Sequence, residues 1–413
     1  YLNGAPHRKH PGVTNLKTVQ LPEQLQLAAQ SILQRADVKS LTERAQKLSN
    51  FLWSRKRVIE SSQLREKAII LERKFLEEER NVSEKARIRK KVLSELRRTT
   101  YHRAALRYNE DLGLVYMVAR LAGGYAAVLR ALNEIKKRDP LFVPYSLLDF
   151  GSGLGTGTWA AHRLWGDSLK EYVCVDSSGD MNTLAEQLLL EGSERNNPTI
   201  KQVYFRQFLP VSPKVQFDLV VAAFSLSELA TLDERLNVIS TLWRKTNSYL
   251  VLVENGTKEG HQILMEARDA ILKVKLIFFY ILKCFMLTLS SVWFQFGQCT
   301  HELKCPKLIR QPVVPCNFFQ FYYSLPLSRS QERQQERFSY LIVSRSDGEK
   351  AQKAEHWDMA RVIAQVHRRP RHVQCQLCCV NGELKQLAVT ARRHGKDMYR
   401  CARNSDWGDL LPV

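Results

Sequence analysis

Leu147-Leu148-Asp149-Phe150-Gly151-Ser152-Gly153-Leu154-Gly155 decides the fold: an apolar run carrying one acid breaks into glycines at alternate positions. Twenty-one residues past Gly155, a second apolar run, Val173-Cys174-Val175, closes on Asp176. Glycines remove the Cβ and let backbone approach a ligand, and the helix start that follows favours negative charge. An acid ending the next strand is placed to take two ribose hydroxyls. The dinucleotide pattern G-x-G-x-x-G fails at Thr156. Gly155-Thr156-Gly157-Thr158-Trp159-Ala160 could mimic it but begins too far past the strand. The stretch reads as the nucleotide-binding half of a doubly wound α/β sheet.

Outward from this stretch, strands are expected at Ser146 to Phe150, Glu171 to Val175, Gln202 to Arg206, Phe217 to Ala223 and Tyr249 to Val253, with helices between each pair. The fourth is continuously apolar, as a parallel strand buried on both faces should be. The acid two residues before the first glycine resembles the first motif of class I S-adenosylmethionine-dependent methyltransferases. Phe318 to Tyr323 and Phe338 to Ser344 resemble the antiparallel sixth and seventh strands of that fold. The resemblance implies S-adenosylmethionine held by Asp149, Gly151, Gly153, Gly155 and Asp176. A catalyst is not legible. Ala222-Ala223-Phe224-Ser225-Leu226-Ser227-Glu228 lacks the Asn or Asp, two prolines and aromatic of amino-methylating enzymes, and Pro315-Cys316 follows strand five where a cytosine-C5 nucleophile would follow strand four. A capped helix start accounts for Ser225 and Glu228.

Four regions follow from composition. Residues 1–40, with Pro6, Pro11 and Pro22 among cations, read as a basic extended arm; 41–140 are helical; 141–345 carry the sheet; 346–413 form a basic, cysteine-containing extension. Ser83 can cap a helix with Ile88, Val92 and Leu96 on one face and Arg87, Arg89, Lys90, Lys91, Arg97 and Arg98 on the others. A second long helix, Leu112 to Lys137, is mostly apolar and packs on the sheet. Sixty-two Lys and Arg against 42 Asp and Glu leave +20. That excess points past a small-metabolite partner to a polyanion.

Nine cysteines without a secretory signal argue for metal ligands or buried thiols over a disulfide framework. Cys174 and Cys284 sit in apolar runs and read as structural. For the rest, two assignments stay open: an iron–sulfur cluster on Cys299, Cys305, Cys316 and one of Cys375, Cys378 and Cys379, or a zinc site on Cys375 and Cys378 with Cys401 and His372 or His394.

Phe205-Arg206-Gln207-Phe208-Leu209-Pro210-Val211-Ser212-Pro213-Lys214, Ala223 to Leu229, Arg369-Pro370-Arg371-His372-Val373 and Thr390-Ala391-Arg392-Arg393-His394-Gly395 together resemble the methyltransferase-like 17 family of mitochondrial small-ribosomal-subunit assembly factors. The likeness runs from about His7 onward. It implies a monomeric protein of the mitochondrial matrix, reached through a transit peptide, that binds the rRNA and proteins of the maturing small subunit. It also implies S-adenosylmethionine, a [4Fe–4S] cluster and doubtful methyl transfer. By motif position the cluster ligands are Cys299, Cys305, Cys316 and Cys378. The ten residues between Cys305 and Cys316 exceed the family's usual spacing.

Lys275 to Phe296 departs from that pattern. It is about as long as a membrane span, where the family has a short polar linker. A span between strands five and six of one sheet is topologically barred, so no stable membrane insertion is expected. The stretch is either non-coding sequence read into the chain or an amphipathic or buried helix. Two functions remain: an assembly factor on a retired methyltransferase fold, or a working rRNA methyltransferase. Between Arg361 and Arg403 ten Lys and Arg face only Glu383 and Asp397. Arg369, Arg371, Arg392, Arg393 and Lys396 are the expected phosphate contacts, beside His372, His394 and Tyr399 for stacking.

Overall fold

The apolar runs become strands where the sequence places them: β1 (Ser146–Phe150), β2 (Glu171–Val175), β3 (Val203–Arg206), β4 (Phe217–Ala223) and β5 (Thr246–Asn255). The computed structural model describes residues 7–10, 12–34, 38–56, 61–78, 85–99, 106–190, 197–284, 291–296, 299–309, 312–327, 331–347 and 359–412. Ser83, the expected helix cap, lies outside them. β1 pairs in parallel with β2 and β4, β2 with β3, and β4 with β5. β8 (Arg333–Asp347) then adds antiparallel to β5, with Val251 opposite Ile342 and Val253 opposite Tyr340. Its far edge carries β7 (Phe318–Tyr323) on the first half and β6 (Ser291–Phe296) on the second. The order β3-β2-β1-β4-β5-β8, with β8 reversed, is that of a class I methyltransferase sheet.

The strand period of two sorts side chains into two cores. Leu147, Leu219, Val221, Val251 and Val253 pack with α5 (Glu110–Arg138), α6 (Thr156–Trp165) and α7 (Gly179–Leu189). Leu148, Val220, Ala222, Leu250 and Leu252 pack with α8 (Leu232–Lys245) and α9 (Lys258–Cys284). Burying each such side chain is worth about 1.5–3 kcal/mol. The Asn109 side chain caps α5 by accepting from the Leu112 amide at 2.9 Å, and acids open and cations close the helix, matching its dipole. Among the described residues α5 alone is long and apolar enough to cross a membrane, and 72% of that stretch is buried inside the protein.

Four expectations need correcting. The arm is not extended throughout, because α1 (Glu23–Leu33) starts after Pro22, whose fixed φ suits a helix entry. Leu25, Ala28, Ala29 and Leu33 bury it. Ahead of it the chain is stitched down: the Thr14 and Asn15 amides donate to Asp409 at 2.8 and 3.0 Å. No helix lies between β3 and β4, where Pro210 and Pro213 would interrupt one. The apolar stretch is not one element: Lys275 to Cys284 extend α9, residues 285–290 lie outside the described set, and Ser291 to Phe296 form β6.

The extension is also more than a tail. β9 (Met359–Val362), β10 (His367–Arg368), β11 (Val373–Cys378), β12 (Leu384–Val389) and β13 (Leu410–Pro412) make a second sheet, with β10-β11-β9-β13 in sequence and β12 on β11. Two short helices, Ala391–His394 and Lys396–Asn404, pack beside it. It is fastened to α5 by Arg361, which corrects the fourth expectation. Arg361 was counted with the cations facing RNA, yet it is wholly buried. Its guanidinium donates to both carboxylate oxygens of Glu134, at 2.6 and 3.2 Å, and to the Gly408 carbonyl at 2.7 Å. Tyr340 donates to the same carboxylate at 2.5 Å.

Candidate functional site

The glycine loop turns directly off β1. Gly151, Gly153 and Gly155 have φ of 63°, 51° and 76°, left-handed values that a side chain resists. At Gly151 a Cβ would stand 2.4 Å from that of Ser225, so the loop and the segment just past β4 approach as only glycine permits. Asp149 is buried beneath the loop, accepting from the Thr158 amide at 2.9 Å and its hydroxyl at 3.1 Å. It thereby fixes the first turn of α6, and Gly157 leaves room for its carboxylate. Asp176 accepts from the Gly153 amide with one oxygen and from the Ser178 amide with the other, each at 2.9 Å. The two acids read from the sequence therefore hold the loop from two sides. Asp176 keeps further acceptor capacity on both oxygens.

What lies beyond β4 was not legible. Phe224, at φ 58°, stacks under Arg120 at 4.6 Å. Ser225 does not cap the short 3-10 helix Leu226–Glu228, contrary to expectation. Glu228 instead accepts from Arg55 at 2.6 Å and from Tyr108 at 3.2 Å. Arg55 follows α2 (Val38–Ser54), so the helical region closes over the sheet's carboxyl edge. Burial first, then Glu228, drives the Tyr108 phenol well above its usual range. Ser152 Oγ, Asn182 Oδ1, Ser225 Oγ, Glu254 Oε2 and Arg55 Nη2 are buried here without a hydrogen-bond partner. Orphaned polar atoms on several sides of a glycine loop fit a small polar cofactor. A cavity of about 740 Å³ lies elsewhere, between residues 16–26 and Tyr125, Leu129, Asn133, Arg163 and Leu164, and shares no lining residue with the loop.

Burial raises Asp149 to about 7, against the pull of the two Thr158 bonds. A carboxyl raised in the folded state holds a proton that the unfolded chain has already lost. Its contribution to stability therefore falls as pH rises from about 4 to about 7. Asp149→Asn is expected to make that fall shallower by up to about 1.4 kcal/mol per pH unit. Glu254, also raised by burial to about 7, keeps part of the slope. Denaturant titrations across this range check it; an unchanged pH profile would remove Asp149 as the titrating group.

The cysteines separate cleanly. Cys299, Cys305, Cys316 and Cys378 are all buried, at 6, 7, 7 and 9% exposure, and come from the loop before β7 and the end of β11. Burial foremost, and then the thiols of Cys299, Cys316 and Cys305, push Cys378 up, so the four share one locality. Burial likewise takes Cys299 to about 12 against the pull of Arg268. Thr300 Oγ1 donates to the Cys378 carbonyl at 3.2 Å, and the β11–β12 turn at Gly382 packs on Leu303, which brings the two segments together. The zinc alternative fails on strand geometry. Cys375 and Cys378 stand three apart on β11 and so face opposite sides. Cys375 and Cys401 are buried in the second sheet's own core with Val362, Val373 and Leu411. Among the described residues no three His, Cys, Asp or Glu side chains are set to grip a single ion. Four buried thiols gathered from two segments are the residue type that holds an iron–sulfur cluster. Cys174 is fully buried with Thr158 Oγ1 at 3.1 Å from its sulfur, a structural thiol as expected.

Arg369, Arg371, Arg392, Arg393 and Lys396 are all exposed, on the turns and helices around the second sheet, and make no ion pair among the described residues. Arg368 and Arg403 are committed locally: Arg368 bonds Asp406 at 2.6 Å and the Arg403 carbonyl at 2.8 Å, while Arg403 bonds the Tyr399 hydroxyl at 3.0 Å. On α4 (Lys85–Thr99), Ile88 and Val92 are buried, and Arg87, Arg89, Lys90 and Lys91 face outward.

Sheet order and glycine loop together define a class I methyltransferase fold carrying a second, smaller sheet. The family described as mitochondrial small ribosomal subunit Rsm22 matches residues 111–412, and the chain belongs to that family. It is 49% identical to the human "Ribosome assembly protein METTL17, mitochondrial", across all of this chain and 87% of that one. The "Rsm22-cox11 tandem protein 2, mitochondrial" of Schizosaccharomyces pombe is 24% identical over 73% of this chain and 43% of its own length. Among solved structures, the magnesium protoporphyrin IX methyltransferase of Synechocystis PCC 6803 with bound SAH is similar over 62% of this chain and 94% of that one, at 12% identity and a TM-score of 0.33.

Proposed function

We propose that this chain is a ribosome assembly factor of the mitochondrial matrix that supports mitochondrial translation. It binds the rRNA and proteins of the maturing small subunit as a monomer, holds S-adenosylmethionine and a [4Fe–4S] cluster, and transfers no methyl group. Family membership and 49% identity to a protein named for mitochondrial ribosome assembly support the setting. The observation that carries the non-catalytic reading is Arg55 on Glu228. Where a methyl acceptor would be held beyond β4, the chain's own helical region places an ion pair between buried Arg55 and half-buried Glu228, with Tyr108 bonded to the same carboxylate.

S-adenosylmethionine would be held by the Gly151–Gly155 loop, Asp149 acting from below and Asp176 taking the ribose. When bound it offers an electrophilic methyl group, and the carboxylate beyond β4, Glu228, is taken up by Arg55 and Tyr108. Asp176→Ala should weaken binding by on the order of 1.5–3 kcal/mol, since charged acceptors make the stronger hydrogen bonds. Calorimetric titration with unchanged affinity would reject this placement. The cluster would be held by Cys299, Cys305, Cys316 and Cys378, joining the loop before β7 to the second sheet. A working rRNA methyltransferase is the competing reading. Substituting Asp149 and Gly151 separates the two: loss of a mapped methyl mark supports the enzyme, whereas weakened subunit association with all marks intact supports the factor.

The RNA grip is assigned to Arg369, Arg371, Arg392, Arg393 and Lys396, with the outward cations of α4. Each phosphate neutralised adds roughly 0.7–0.9 to the slope of log affinity against log salt. Arg392→Ala with Arg393→Ala should therefore lower that slope by about two if both touch phosphate. Sedimentation with the small subunit at unchanged salt sensitivity would show that the second sheet is not the grip.

A further inference from the structure

Three of the four clustered thiols each face a different nitrogen donor. Arg268 Nη1 donates to Cys299 Sγ at 3.7 Å. His261 Nε2 lies 3.6 Å from Cys305 Sγ, and His301 Nε2 lies 3.5 Å from Cys378 Sγ. None of these donors stood out in the sequence, because they lie on different elements from the sulfurs they meet. His261 and Arg268 are seven residues apart on α9, two helical turns, and so share one face. Both are buried, at 0 and 2% exposure, and His301 is buried at 6%. Arg268 also pairs with Asp269 through Nε and Nη2, at 3.1 and 3.0 Å, while its Nη1 faces the sulfur.

A metal-bound thiolate carries no proton, so at each of these contacts the sulfur can only accept and the nitrogen must donate. For the two histidines this selects the tautomer with the proton on Nε2. We infer that Arg268, His261 and His301 are positioning residues for the cluster, each hydrogen-bonding one thiolate. Together they orient the cysteines, spread the negative charge of the thiolates and hold the reduction potential up. This rests on the cluster reading above and goes beyond it, since it assigns residues that are not ligands. Hydrogen bonds to cluster sulfurs withdraw electron density and favour the more negative, reduced state. Partners behind metal ligands also hold the metal itself, and their loss commonly costs about 10–100-fold in affinity.

The test uses the full chain purified without oxygen, as wild type, Arg268→Met, Arg268→Lys, His261→Leu and His301→Leu. Iron content, the midpoint potential from a redox titration followed by visible absorption, and the rate of iron loss to EDTA are measured on each. The three donor-removing variants are expected to bind iron, titrate at a lower potential and lose iron about tenfold faster or more. Arg268→Lys should recover much of the potential, because it returns a cationic donor. If Arg268→Met fails to fold, the two histidine variants carry the test by the same readouts. Wild-type potential and wild-type iron loss in all the folded variants would overturn the positioning assignment while leaving the cluster standing. Wild-type protein without iron would overturn both.

Discussion

Replacing Arg361 with Met is expected to cost about 3–5 kcal/mol of stability at neutral pH, because it leaves Glu134 a buried charge without its principal partner. Both side chains have no measurable exposure, so solvent cannot screen the loss. Burial alone would push Glu134 up. Arg361 and Arg138, with hydrogen bonds from Arg361 and Tyr340, more than reverse this and hold it at about 2. A carboxylate held below its ordinary 4.5 stabilises the fold above that value and loses its contribution as pH falls from about 4.5 to about 2. The gap between wild type and Arg361→Met should therefore be largest near neutrality and narrow in acid. Adding Glu134→Gln should recover part of the loss, since a neutral amide costs less to bury than an unpaired charge. Chemical denaturation at pH 7 and pH 3 measures this; a difference below about 1 kcal/mol at pH 7 would mean the pair is not what fastens the second sheet.

The first sheet was legible because its signals are local. A buried parallel strand is a short apolar run, and the glycines of the loop are demanded by its left-handed backbone within nine residues of chain. Cys299, Cys305, Cys316 and Cys378 were named through a family likeness, and the fold brings them into one locality. The legible part ended where partners are far apart in sequence. Arg55 meets Glu228 across 173 residues, and Arg361 meets Glu134 across 227. No periodicity reports such a pair. Charge counting misled for the same reason, since it placed Arg361 on the surface. The apolar run from Lys275 was read as one piece because hydropathy alone cannot distinguish the end of a helix from a following edge strand. Cys375-x-x-Cys378 likewise suggests a chelate on a turn or helix, and only the strand geometry of β11 turns the two sulfurs apart.

The proposed cluster would give the second sheet another latch, and Cys378→Ala is expected to open it. A cross-link from Cys316 to Cys378 closes a loop of about 60 residues, for which chain entropy gives roughly 4 kcal/mol of stabilisation. Losing it should leave the first sheet intact, because most of the core around β1 to β5 comes from those strands and from α5 to α9. The loss should fall on β9, β11 and β13, whose backbone amides are expected to exchange faster in deuterium oxide. Cys375→Ala is the control: it removes a neighbouring thiol from the opposite face of the same strand and should keep the full iron content. Because the Arg361–Glu134 pair fastens β9 to α5 separately, neither variant alone should free the second sheet. Arg361→Met and Cys378→Ala together should do so. The exposed arginines would then lose their fixed arrangement, and the salt slope of rRNA binding should fall in the double variant even with every arginine present. Unchanged exchange across β9 to β13 in protein shown to lack iron would dismiss the cluster as a latch. A salt slope that survives the double substitution would place the RNA grip elsewhere, with the outward cations of α4 as the remaining candidate.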